Sequence, residues 1–278
     1  MTSPHDTAER FHALHRAGNP LILPNAWDVA SARLVEHAGA AAIATTSAGV
    51  AWSLGAPDGD QLDREPALDL IARVVAAVGV PVTADIESGF GADPAGVTET
   101  IRGVVRAGAV GVNLEDADSA GPEPLRPVGA QCERIAAARE AANATGVRLY
   151  VNARTDTYLL GVGDPAGRLA ETLERAAAYL AAGADGIFVP GVTDPATVSE
   201  LTNGIAAPVN ILAGPGAPSI GELAMLGVAR VSVGSKVALS AYAVARRAAE
   251  ELLGPGTYTE LAGALSYDEL NRLLGDKS

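Results

Sequence analysis

The sequence predicts an α/β fold, a closed (β/α)8 TIM barrel with additional N-terminal and C-terminal helices. Three observations carry that expectation. Short β-branched runs recur eight times along the chain, and an alanine-rich helical pattern follows each one. Several helical stretches end in the same phrase just before the next run: His37-Ala-Gly-Ala40, Arg106-Ala-Gly-Ala109, Ala182-Gly-Ala184 and Leu226-Gly-Val228. Glycine at such a point caps a helix in the left-handed conformation. Strand alternating with helix implies a parallel sheet with right-handed crossovers, and eight such units in about 250 residues match a closed barrel.

In chain order, the strand candidates are 20–24, 41–47, 80–87, 111–115, 148–154, 186–190, 208–213 and 230–234. Helices are expected between them at 29–37, 65–77, 94–107, 132–142, 165–182, 195–202 and 219–226, and 235–253 follows the last strand. Residues 7–16 add a leading helix. After Gly254-Pro-Gly256, 258–265 and 266–274 read as further helices, the second with Ser266 and Glu269 at capping-box spacing. No linker or low-complexity segment divides the chain. Residues 1–278 therefore read as a single barrel domain, with a core at about 20–253 and a C-terminal helical extension at about 254–278. The extra helices are surplus to a barrel, and they suit packing on a neighbouring subunit or on their own barrel.

Composition narrows the function classes. With 48% hydrophobic residues but only three Phe and two Trp, the core must be built from Ala, Val, Leu and Ile. A net charge of −13 argues against nucleic acid or an anionic membrane as the main partner. No apolar run approaches the roughly 20 residues that cross a bilayer. The polar first ten residues lack a signal-type apolar core. A lone cysteine, Cys132, leaves no internal disulfide and fits a reducing cytoplasm. The 20 basic residues include only two lysines, Lys236 and Lys277.

In this architecture the catalytic face lies at the C-terminal ends of the strands. The third candidate strand ends Thr83-Ala-Asp-Ile-Glu-Ser-Gly-Phe-Gly91, and strand alternation puts Asp85 and Glu87 on one side. The next strand ends in Glu115 and Asp116. Carboxylates crowded this way repel unless a cation or proton sits among them. An all-oxygen set suits magnesium, or manganese, often through water. The alternative is that these acids cap helices and pair with arginines. All four histidines precede the second strand, which argues against His-ligated zinc or a His-based triad. Arg154 shares parity with Asn152 and Asp156, and it is a candidate to grip a carboxylate or to partner Asp156 or Glu115. The Thr46-Ser47-Ala48 corner offers backbone N–H groups for a second acidic group. Asn210 and Gly234-Ser-Lys236 end the last two strands. Cys132 is expected inside a helix as a buried small residue.

These residues together resemble the isocitrate lyase/phosphoenolpyruvate mutase superfamily, in its phosphoenolpyruvate mutase-like branch, over about residues 20–236. The resemblance rests on Pro24-Asn-Ala-Trp-Asp28, the segment 46–58 ending Leu54-Gly-Ala-Pro-Asp58, Ala84-Asp-Ile-Glu-Ser-Gly-Phe-Gly91, Asn113-Leu-Glu-Asp116 and Asn152-Ala-Arg-Thr-Asp156. It implies magnesium held near Asp85, Glu87 and Glu115, with Asp58 close by on a mobile segment. It implies a 2-oxo or 2-hydroxy carboxylate held by Thr46, Ser47, Ala48, Asp85, Arg154 and Asn210. Asp58, Arg154 and Glu115 would be the catalytic residues. Homodimers or homotetramers that swap a C-terminal helix are also implied.

One motif departs from the pattern. The loop after the fourth strand reads Asp118-Ser-Ala-Gly-Pro-Glu-Pro-Leu-Arg-Pro-Val-Gly129, without the Lys-Lys-Cys-Gly-His element of the isocitrate lyases. Arg126 is its one cationic residue. The expected activity is therefore a magnesium-dependent lyase acting next to the α-carbonyl through a metal-stabilised enolate. Oxaloacetate decarboxylation fits best, because it needs no loop cysteine. The alternatives are a P–C bond mutase or hydrolase, of the phosphoenolpyruvate mutase or carboxyvinyl-carboxyphosphonate phosphorylmutase type, and a non-catalytic barrel binding an oxo acid or a phosphate.

Overall fold

The structure is a computed structural model, and it describes residues 3–275. Nine parallel strands form one sheet that curls into the expected barrel: β1 (Leu21–Leu23), β2 (Asn25–Ala26), β3 (Ile43–Thr45), β4 (Val82–Asp85), β5 (Gly111–Glu115), β6 (Tyr150–Arg154), β7 (Gly186–Val189), β8 (Val209–Leu212) and β9 (Arg230–Ser232). The additional strand, β2, lies just past the first candidate, which ends at Pro24. Proline has no N–H to give to a ladder. β1 pairs with β9 and β2 pairs with β3, so the ring closes through the chain itself. The Asn25 side chain stitches this seam. Its Oδ1 accepts from Val233 N at 3.0 Å and Gly234 N at 2.9 Å, and its Nδ2 donates to Thr45 O at 3.0 Å.

The helices of the described residues are α1 (Pro4–Ala13), α2 (Val29–His37), α3 (Ser47–Ser53), α4 (Arg64–Ala77), α5 (Pro94–Arg106), α6 (Val128–Thr145), α7 (Arg168–Ala181), α8 (Pro195–Gly204), α9 (Ile220–Met225), α10 (Lys236–Leu253) and α11 (Tyr267–Gly275). Local chemistry sets their starts. Asp28, Asp93, Asp194 and Ser219 each accept a backbone N–H of the first turn. Two helical expectations change. The stretch 258–265 forms only a single 3-10 turn, Thr259–Leu261. α3 was not among the expected helices; it begins at Ser47, where the second strand candidate was expected to end. No helix of the described residues is long and apolar enough to cross a membrane.

The main core lies between the sheet and its ring of helices. A second cluster closes the barrel floor, where α1 acts as a plug. Phe11 is fully buried and meets Tyr150 edge-on at 5.6 Å. Gly111 makes that possible, since a Cβ there would stand 2.7 Å from the Phe11 ring. Losing such a phenylalanine costs about 3–5 kcal/mol. Above the plug, Asn113, Asn152 and Asn210 form a polar layer: Asn152 Nδ2 donates to Asn113 Oδ1 at 2.9 Å and to Asn210 Oδ1 at 3.2 Å. The C-terminal α11 lies on α2 of its own chain, where Arg33 donates to Leu273 O at 3.0 and 2.9 Å.

Candidate active site

A small cavity of about 160 Å³ opens at the C-terminal ends of the strands. Thr46, Ser47 and Ala48 line one wall, Asp58 and Asp85 sit beside them, and Arg154 comes from β6. Asn25 and Asn113 contribute from deeper in the barrel, Gly234 and Ser235 from the turn after β9, and Lys236 from the start of α10.

Asp85 is the last residue of β4 and points toward the start of α3. Its Oδ2 accepts from Ser47 Oγ at 3.1 Å and from Ser47 N at 3.3 Å. Its own N–H is fixed by Thr45 Oγ1 at 2.9 Å. Gly49 lets α3 sit this low, because a Cβ there would lie 2.7 Å from Trp27.

The strand alternation that was expected to pair Asp85 with Glu87 stops at Asp85. Glu87 lies past the strand end at φ +50, in the left-handed region, which costs a non-glycine residue about 1–2 kcal/mol. Tertiary contacts hold it there. Its carbonyl accepts from Glu115 N at 3.0 Å, and its side chain accepts from the N–H of Asp60, itself left-handed at φ +58. Ser88 N donates back to Asp60 Oδ1 at 3.4 Å. Glu87 is 3% exposed, and burial pushes its carboxyl up to about 7, assisted by Asp60, Asp85 and Asp58 and opposed by the Asp60 N–H. Asp58 is raised by burial and then by Asp85.

On the neighbouring strands, Glu115 and Arg154 are register partners. Arg154 Nη1 meets Glu115 Oε2 at 2.6 Å, while Nε and Nη2 grip Asp156 in bidentate fashion at 2.6 and 2.8 Å. These two acids outweigh the cost of burial and hold the guanidinium charged. Burial drives Glu115 well above the usual carboxylate range, with Arg154 opposing it. Arg154 is thus engaged by its own chain on both edges. Beneath it, the buried Asp116 accepts from Asp156 N at 2.9 Å and from Tyr179 OH at 2.7 Å, with Arg175 Nη1 at 3.3 Å. Asp116 braces the site rather than facing it.

Among the described residues, no three His, Cys, Asp or Glu side chains converge into a ready-made metal cage. Asp85 faces the cavity, while Glu87 and Glu115 stand outside its lining. The set still fits a magnesium or manganese ion. All donors are oxygen, Asp85 raises the carboxyls of Asp58, Glu87 and Glu115 alike, and magnesium takes one or two carboxylates while keeping several waters.

Residues 11–253 match the family model for phosphoenolpyruvate phosphomutase. The chain belongs to this family. A protein of Mycobacterium tuberculosis strain H37Rv, described as uncharacterized, is 38% identical over 96% of both chains. The 2-methylisocitrate lyase of Escherichia coli K12 is 30% identical over 74% of this chain and 70% of that enzyme. A crystal structure of a putative lyase/mutase from Burkholderia cenocepacia superposes with a TM-score of 0.90 and 45% identity, covering 97% of this chain and 95% of that one. The protein is accordingly an enzyme of the isocitrate lyase/phosphoenolpyruvate mutase superfamily, of lyase or mutase type.

Within that family frame, the expected residues fall into three places. Thr46, Ser47, Ala48, Asp58, Asp85 and Arg154 line the cavity; Glu87 and Glu115 flank it; Asn210 lies below, bonded to Asn152 and Ser232. Asn113 lines it without having been singled out as a site residue, and Lys236, expected at the end of the last strand, lines it without having been given a role. The signal for Lys236 was its place straight after the last strand in a chain nearly free of lysine. In the atypical loop, Arg126 is spent on Ala117 O and on Asp118 Oδ1 at 3.4 Å. Cys132 lies in α6 as expected, though half-buried, and burial pushes its thiol up.

Proposed function

We propose that this enzyme is a magnesium-dependent lyase that breaks the C–C bond next to the α-carbonyl of a small 2-oxo or 2-hydroxy (di)carboxylate. The observation that carries the reading is Asp85, oriented by Ser47 on the wall of a small cavity and surrounded by carboxyls whose raised values call for a cation. Magnesium bound there would supply Lewis-acid stabilisation to the oxygen of the developing enolate.

The chain's own groups supply the rest. The substrate carboxylate fits the N–H of Ala48 beside that of Ser47, which it would share with Asp85. Arg154, fixed by Glu115 and Asp156, faces the same cavity with a preoriented positive charge and costs no reorganisation as negative charge develops. Asp58, on the loop after α3, is placed to take or return a proton at the mouth. The narrow cavity limits the substrate to a small acid and excludes most water.

Cleavage of a C–C bond is favoured over a P–C bond because Arg126, the loop's one cation, is tied within the loop. Oxaloacetate decarboxylation is the favoured form. A homodimer or homotetramer is the proposed assembly, since α10 exposes Leu239, Tyr242, Val244 and Leu252; light scattering on the purified protein tests it. For the reaction, oxaloacetate and phosphonopyruvate are to be assayed with magnesium and with EDTA. Metal-dependent turnover of oxaloacetate supports the reading. Metal-dependent turnover of phosphonopyruvate alone would shift it to P–C chemistry, and turnover indifferent to chelation would overturn it.

A further inference from the structure

Cleavage to an enolate leaves a carbon that must take a proton, and Asp58, at the mouth, is an exposed carboxyl that does not by itself supply a donor inside the cavity. The atypical loop has no cysteine, lysine or histidine. Arg126 is tied to Ala117 and Asp118, and an arginine cannot release a proton in any case. Cys132 sits in α6 outside the cavity lining, and no histidine lines the cavity.

Lys236 meets the requirement on three counts. It is half-buried at the first position of α10 and lines the cavity. Its stem lies across Gly214, where a Cβ would stand 2.2 Å from Lys236 Cε and 3.2 Å from Nζ. The missing side chain at position 214 is what opens this path. Finally, the Lys236 ammonium has no ion-pair or hydrogen-bond partner among the described residues, whereas Arg154 is engaged by two acids. It is the uncommitted cation of the cavity and can give up a proton, which arginine cannot. Lys277 lies outside the described residues.

We infer that Lys236 is the catalytic acid that protonates the enolate carbon. This rests on the enolate reading proposed above. As the C–C bond breaks, its electron pair passes into the carbonyl and makes the enolate. The enolate then returns that pair to its carbon, which takes one proton from Lys236 Nζ. The ammonium becomes a neutral amine, and solvent at the mouth restores its proton.

Exchange of the pyruvate methyl protons with deuterium oxide, followed by NMR with magnesium present, runs this step in both directions without needing the natural substrate. Oxalate binding by calorimetry reports separately on the metal end of the site. The wild type should bind oxalate and exchange pyruvate. Lys236→Arg should bind oxalate within about threefold of wild type yet lose exchange by about 100-fold or more, the contribution expected of a general acid. Gly214→Ala, which keeps the lysine but blocks its path, should show the same loss while its melting temperature stays near wild type. If the wild type binds no oxalate in magnesium, the enolate reading itself fails. If it binds oxalate and Lys236→Arg exchanges as fast as wild type, or the wild type does not exchange, the assignment of Lys236 is overturned.

Discussion

Glu87→Gln offers a quantitative handle on the crowded acids. In the metal-free protein the Glu87 carboxyl is raised from the ordinary 4.5 to about 7, with burial the largest cause. Between those values the folded protein holds a proton that the unfolded chain has released. The protonated group's contribution to stability is thus complete below about 4.5 and is lost as pH rises through about 7. A shift of this size is worth at most about 3 kcal/mol. For a chain of this length that corresponds to roughly 6–10 °C in melting temperature. Glutamine keeps the acceptor for the Asp60 N–H and cannot ionise. In EDTA, wild type and Glu87→Gln should melt close together at pH 5, and the variant should be the more stable at pH 8. Magnesium should narrow the gap at pH 8 by stabilising the wild type. Scanning calorimetry across pH 5–8 measures this. Parallel curves for the two proteins, or a variant less stable than wild type at pH 8 in EDTA, would show that ionisation of a buried Glu87 does not weaken the fold.

Other variants probe the scaffold behind the cavity. Arg154→Met leaves Glu115 and Asp156 buried without their counter-charge and should cost about 3–5 kcal/mol in urea unfolding at pH 7. The loss should shrink toward acid pH, where those carboxyls protonate. Tyr179→Phe removes the 2.7 Å hydrogen bond to the buried Asp116 and should cost about 1–2 kcal/mol, with oxalate affinity unchanged, because Asp116 faces away from the cavity.

How far each feature could be read from the sequence depended on whether its cause was local. The strands and most helices were readable because period and capping act over a few residues; α2 and β5 begin and end where expected. The break at Pro24 was visible as a proline, but its role as the barrel's seam depends on β9, about 200 residues away. Asp85 and Arg154 were readable as residues at the ends of their strands. Glu87 departs from the expected alternation because a left-handed backbone, held by Asp60 and Glu115, ends it. Arg154's double engagement was one of two readings open from spacing, and only the fold brought Glu115 onto its second edge. Lys236 reaches the cavity across a glycine on another strand's loop, a relation that no spacing along the chain encodes.

In the mechanism proposed above, Asp85 anchors a divalent ion at which an enolate forms. Crystals grown with manganese and oxalate, an enolate mimic, test it most directly, since manganese is located by its anomalous signal. A single manganese peak bonded to Asp85 is expected, with oxalate chelating it between Ser47 and Arg154, and both should be lost in Asp85→Asn. Oxalate bound in the cavity without manganese, or manganese bound away from Asp85, would contradict it.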